Sequence, residues 1–289
     1  MSKVAIVTDS VSCLSPDIIG SLPIRVMPFT VALNGTVYKC GENLDSAEAL
    51  RLLEDNQGNW RGAASSVGDY AALYRQLSTE ADSILGITLA AKFGTHYDIA
   101  CVARDQVKQE LPNINIEILD SETSMMGEGF VTLAAAKAAA EGKGLDEAIE
   151  AASKVKEGAN VFFYLDTLRH VYRTGRVPKF GAWMGSVLGI KAIGRDKKGE
   201  GQFVAAARTK TGGLDRLIKS AVAEICGKPV HMAVMHGAVP DEGEKLKDRV
   251  LKEFDCVEIY LTEMSPITIH ATGRGALGLA FYTEEPQTE

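Results

Sequence analysis

Short apolar runs alternate with longer stretches of helical periodicity through the first half of the chain. VAIVTD (Val4–Asp9) is apolar until its last two residues, as a strand buried on both faces of a parallel sheet is. SILGIT (Ser83–Thr88) and NIEIL before Asp120 repeat that pattern. Between them, Ser66 stands where an N-cap would, ahead of Tyr70, Leu73, Tyr74 and Leu77 at helical spacing. Further helices are predicted over 46–54, 95–111 and 127–141 and through LDEAIEAASKV. Residues 25–33 read as extended, with Asn34-Gly35 as a hairpin turn into TVYK. Strand and helix in alternation mark α/β construction.

The second half is less regular. NVFFYLD (160–166) reads as a strand, TLRHVYRTG as a helix closed by Gly175, and 179–187 as another helix. Strands are predicted at 189–193 and 202–206 around the turn DKKGEG, then at 229–235, 257–261 and 276–282. Helices are predicted over 214–225 and 241–253. This is α+β construction with a mixed sheet. A boundary in the polar stretch 154–158 divides the chain into domains 1–155 and 156–289.

Composition narrows the function classes. Hydrophobic residues make up 46% and charged residues 24%, the balance of a globular protein able to bury a core. A net charge of -7 disfavours nucleic acid and anionic membrane surfaces as partners, both of which call for a basic footprint. No apolar run has the length of a membrane span. The opening MSKVAIVTDS reads as a first strand rather than a signal peptide. Cysteines 13, 40, 101, 226 and 256 form no C-x-x-C and fit reduced thiols, so a cytoplasmic protein is expected.

IHATGRGALG (269–278) contains Gly273, Gly275 and Gly278 at the G-x-G-x-x-G spacing. A dinucleotide turn needs a helix behind it, and the eleven residues after Gly278 read as a strand and a tail. The loop is therefore expected to approach a ligand or a strand closely, with His270, Thr272 and Arg274 as donors. P-loop, H-E-x-x-H and G-x-S-x-G motifs are absent, and His231 and His236 flank a strand, so no metal is expected. Asp9-Ser10 and Asp120-Ser121 close predicted strands, where α/β sheets place ligands and where the same residues also cap turns. Arg169 and Arg173 read as solvated helix charges. Arg176, after the closing glycine, and Arg208, at a strand end, are placed to meet a carboxylate or phosphate at a cleft edge.

Several segments in order resemble the DegV family of bacterial fatty-acid-binding proteins over nearly the whole chain. They are IVTDSVSCLSPD, SSVGDYAALY, LDSETSMMGEG, DTLRHVYRTGRV, GSVLGIKAI, VAAARTKTGGLDRL and TEMSPITIHATGRGALGLAF. The resemblance implies an α/β protein of two domains, the first three-layered with a mainly parallel sheet, the second α+β with a mixed sheet. It implies one fatty acid bound between them and no cofactor. It also implies a partner: a separate ATP-dependent fatty acid kinase, to which the acid is presented for acyl-phosphate formation. The chain itself would then not be an enzyme. The tunnel candidates are Met27, Phe29, Phe163, Leu165, Met184, Leu188, Ile190 and Phe281.

The ligand loops depart from that family's pattern. Gly62-Ala63 stands where the family has Thr-Ser, and Ser65 where it has proline. Gly94 replaces a serine that meets the carboxylate, and the closing histidine sits one place early, at His270, which in an extended segment would turn it to the other face. Candidates for the head group are Ser65, Ser66, Thr95, His96, Arg176, Arg208, His270, Thr272 and Arg274. Two rivals stand beside the carrier: a divergent carrier or sensor of another carboxylate, and an enzyme on a small acidic substrate using Asp9, His96 and Arg176.

Overall fold

A computed structural model of the chain describes residues 3–55, 60–174 and 189–283. The first half supplies strands β1 (Val4–Asp9), β2 (Ile24–Met27), β3 (Thr30–Leu33), β4 (Thr36–Lys39), β5 (Arg61–Ala63), β6 (Ser83–Thr88) and β7 (Asn115–Asp120). Its helices are α1 (Pro16–Ile19), α2 (Ser46–Asp55), α3 (Val67–Leu77), α4 (His96–Glu110), α5 (Met126–Ala140) and α6 (Leu145–Gly158). The second half supplies β8 (Asn160–Leu165), β9 (Lys191–Asp196), β10 (Gly201–Ala207), β11 (Val230–His236), β12 (Cys256–Glu263) and β13 (Leu277–Thr283). Its helices are α7 (Arg169–Arg173), α8 (Lys210–Ile225), α9 (Pro240–Glu253) and α10 (Pro266–Thr272).

The first sheet is wholly parallel, in the order β2-β1-β6-β7. Every residue of β1 and β6 is buried, which accounts for their unbroken apolar runs. A small antiparallel sheet, β4-β3-β5, stands beside it. Asn34 and Gly35 both take positive φ (51° and 83°), the conformation of a primed hairpin turn between β3 and β4. The second sheet runs β10-β9-β8-β13-β11-β12 and is antiparallel except for the β11–β12 pair.

The layers are helix, sheet, helix, sheet, helix. Helices α3 and α4 cover the outer face of the first sheet through Tyr70, Tyr74, Ala100 and Ala103. Helices α8 and α9 cover the outer face of the second through Leu217, Ile218, Leu246 and Val250. Between the sheets lie α5 and α6. Helix α5 is buried nearly all round, as an alanine-rich helix without a polar face must be, and it packs on β1 and β6 on one side and on β8 and β13 on the other.

The first half is thus a three-layer α/β unit with a parallel sheet, and the second sheet is mixed. The polar stretch 154–158 forms the last turn of α6. Three short elements escape the periodicity reading: α1, the three-residue β5 and α10. Helix α8 begins four residues earlier than expected, because the Thr209 hydroxyl accepts the Gly212 amide at 3.2 Å and caps it. Gly175 and the helix expected over 179–187 lie outside the described residues.

Candidate functional site

Beyond the carboxyl ends of β1 and β6, facing the second sheet, an apolar cleft encloses about 120 Å³. This is where open α/β sheets bind ligands. Val11 follows β1, Phe29 follows β2, and Leu89 and Phe93 follow β6. Ser124 and Met125 precede α5. Phe163 and Leu165 project from β8, Val171 from α7, and Ile267, Thr268, Ala271 and Thr272 from α10. The remaining lining comes from Asp196, which ends β9, and Gly201, which begins β10. The volume approaches that of cavities of about 150 Å³ that hold a benzene ring, so several methylenes fit.

Among the described residues, few polar groups reach this cleft. Ser124 Oγ donates to Asp196 Oδ2 at 2.9 Å. Burial pushes the Asp196 carboxyl up to about 6, against hydrogen bonds from Ser124 and from the backbone of Gly199 that hold it down. On α10 the Thr272 hydroxyl donates to the Thr268 carbonyl at 2.9 Å, and the Ser265 and Thr268 hydroxyls lie 3.0 Å apart.

Behind the cleft's first-sheet wall sits a buried polar cluster. Asp9 is wholly buried and accepts the Val11 amide on Oδ1 and the Leu89 amide on Oδ2, both at 2.9 Å. His96 Nδ1 lies 3.8 Å from Asp9 Oδ2, and its ring stacks on Phe29 with centroids 3.8 Å apart. Glu128, also wholly buried, accepts from the Thr8 hydroxyl at 3.0 Å.

Of the candidates read from the sequence, the structure brings Phe29, Phe163, Leu165 and Thr272 to the cleft. His96 is adjacent but lies behind Phe29, outside the lining. Ser65 points inward, its hydroxyl donating to the Pro28 carbonyl at 2.5 Å. Ser66 caps α3 in a capping box with Asp69. Thr95 is exposed at the head of α4, and Arg274 is exposed, 3.8 Å from Glu54. His270 stacks on Trp60 with centroids 5.2 Å apart. It belongs to α10, so the expectation of an extended segment, with alternate faces, is corrected: one residue on a helix turns a side chain by about 100°.

Met27 packs in the core between the first sheet and α3–α4. Phe281 stacks on Phe162, centroids 5.9 Å apart, on the α8–α9 side of the second sheet. The two-residue period of β8 sends Phe162 and Phe163 to opposite faces, and Phe281 belongs with the first of them. Ile190 and Arg208 line a separate cavity of about 490 Å³ beside the start of α8. Arg176, Met184 and Leu188 lie outside the described residues. For the enzyme reading, Asp9 (0% exposed) and His96 (2%) do not reach the cleft.

Val11 and Leu89 were within reach of sequence reasoning, since both follow the ends of buried parallel strands. Ile267 carried no such signal. A Cβ at Gly62 would collide with its Cδ1, so the glycine makes room for this side chain at the cleft. No cluster able to hold a metal ion occurs among the described residues, and no helix among them is long and apolar enough to cross a membrane.

The model of a family described as "Uncharacterised protein, DegV family" matches residues 3–284. A DegV domain-containing protein of Streptomyces coelicolor is 30% identical over 281 residues, covering 96% of this chain and 97% of its own. The fatty-acid-binding DegV family protein of Thermus thermophilus superposes with a TM-score of 0.89 at 25% identity, over 98% of this chain and 100% of its own. A DegV family protein of Eubacterium eligens, loaded with heptadecanoic acid, shares the fold with a TM-score of 0.86 at 19% identity, over 97% of this chain and 100% of its own. The chain belongs to the DegV family.

Proposed function

We propose that this protein binds one fatty acid, with its hydrocarbon tail in the cleft between the two sheets, and presents the carboxylate to a separate ATP-dependent kinase that forms the acyl phosphate. The observation that carries the reading is an apolar cleft at the carboxyl edge of a parallel sheet, walled by Phe29, Leu89, Phe93, Met125, Phe163 and Leu165, to which the described residues add a few hydroxyls and one buried acid. Each methylene removed from water contributes about 0.8 kcal/mol, so a long tail supplies most of the affinity and the head group needs few donors. Among the described residues, the Thr268 hydroxyl on α10 is placed to donate when Ser265 donates to it, whereas the Thr272 hydroxyl gives its proton to the Thr268 carbonyl and can only accept. Asp196 stands elsewhere on the lining, and its carboxyl would repel a ligand carboxylate placed against it. A chain longer than several methylenes extends past the enclosed volume or widens it.

Native mass spectrometry of the purified protein tests the binding step. A mass increment matching a fatty acid is expected, and uniformly empty protein that also fails to take up added heptadecanoic acid would refute it. The kinase step is tested by acyl-phosphate formation. Product is expected only when this protein, the kinase and ATP are all present; product from this chain and ATP alone would make it an enzyme instead.

A further inference from the structure

Three side chains of the cleft wall, Val11, Leu89 and Phe29, come from three different loops, and all are tied to Asp9-Ser10. Asp9 takes the Val11 amide on one oxygen and the Leu89 amide on the other. The Phe29 amide donates to Ser10 Oγ at 3.0 Å, and the Phe29 ring lies on His96, whose Nδ1 approaches Asp9 Oδ2. The carboxyl has no contact with the cleft itself, yet the first-sheet wall is arranged around it.

We propose that Asp9 is a positioning residue for the ligand cleft: its ionised form fixes the loops carrying Val11, Leu89 and Phe29, so affinity for a hydrocarbon chain follows the protonation of this carboxyl. The inference rests on the lipid-binding reading above. An ionised carboxylate accepts both amides in charge-assisted bonds and attracts the His96 ring edge, whereas the neutral acid keeps one good acceptor. Burial pushes Asp9 up to about 6, while the Leu89 and Val11 amides and Glu128 hold it down. The groups facing it are Glu128 from α5, His96 from α4 and Tyr70 from α3. Burial and the charge of Asp9 drive Glu128 well above the carboxylate range, and they raise Tyr70 likewise. Asp9 accepts two backbone amides where Glu128 accepts one hydroxyl, so Asp9 is the carboxyl of the pair better arranged to carry the charge.

The test measures binding of heptadecanoic acid to the full chain and to Asp9→Asn from pH 5 to pH 8. Both proteins meet the same titration of the ligand, so the ratio of their affinities isolates Asp9. The wild type is expected to bind about tenfold more tightly at pH 8, the worth of a charge-assisted hydrogen bond or two, with the ratio approaching one at pH 5. A merely structural loss would weaken Asp9→Asn by the same factor at every pH, and that result, or equal affinities throughout, overturns the proposal. Should the variant fail to fold, the wild type suffices: its Val11 and Leu89 amide resonances must titrate together, with the midpoint seen in ligand affinity, and amides that stay unmoved between pH 5 and 7 overturn it. Wild type that binds no heptadecanoic acid at any pH removes the lipid reading and this inference with it.

Discussion

The ring of His96 lies almost flat on that of Phe29, their planes inclined by 19°. Phe29 therefore has a cleft on one side and a buried polar cluster on the other. Phe29→Ala should lower stability by about 3–5 kcal/mol and also weaken fatty-acid binding, because the ring serves both. Phe281→Ala, on the opposite side of the second sheet, should cost a similar amount of stability and leave affinity unchanged. Denaturant midpoints at constant m, paired with ligand titrations, separate the two outcomes.

Gly62 and Ile267 compete for one volume. Gly62→Ala alone should destabilise by about 1–3 kcal/mol through overpacking. Ile267→Ala should cost about 2–5 kcal/mol. The double variant should lose well less than the sum of the two single losses, since the second change vacates the space the first invades. Additive losses in a double-mutant cycle would show that the two positions do not share it.

Ser66 accepts the Asp69 amide at 3.1 Å while Asp69 Oδ2 accepts the Ser66 amide at 3.0 Å. Its hydroxyl is committed to the start of α3. Ser66→Ala should cost about 1 kcal/mol, read as a lower melting temperature, with heptadecanoic acid affinity unaltered.

Asp196 carries a pH signature. Its folded-state value of about 6 lies above the ordinary carboxyl value of 3.8 because burial disfavours the charge. Between those values the folded protein holds a proton that the unfolded chain has lost. The resulting stabilisation is complete below about pH 4, declines as pH rises, and is gone above pH 6, a span of about 3 kcal/mol. The stability difference between Asp196→Asn and wild type should therefore vary across pH 4–6 and be flat from 7 to 8. Denaturation at a series of pH values measures it.

Most of the fold can be read from periodicity because its elements have one clear environment each. β1 and β6 carry unbroken apolar runs because both faces are covered, and α3 shows helical spacing because one face is solvated. Asn34-Gly35 names its turn outright. Helix α10 is hidden from periodicity because five of its seven residues are buried and the glycines behind it point to a loop. The site was harder. Phe29, Phe163, Leu165 and Thr272 were found by type and place. Ser65 and Ser66 looked like donors but satisfy backbone and helix cap, and Phe281 looked like tunnel wall because no rule of alternation tells from sequence which face of β8 its strand will join. Val171, Ile267 and Asp196 reach the cleft only through tertiary packing.

Helices α5 and α6 serve both sheets at once, and that shared slab limits how the protein can open. Two bodies swinging on a linker would have to peel Phe163 and Val161 on one side, or Ile6 and Leu85 on the other, from the apolar faces of that helix pair. Separating the two sheets would thus expose apolar surface on both sides of the slab.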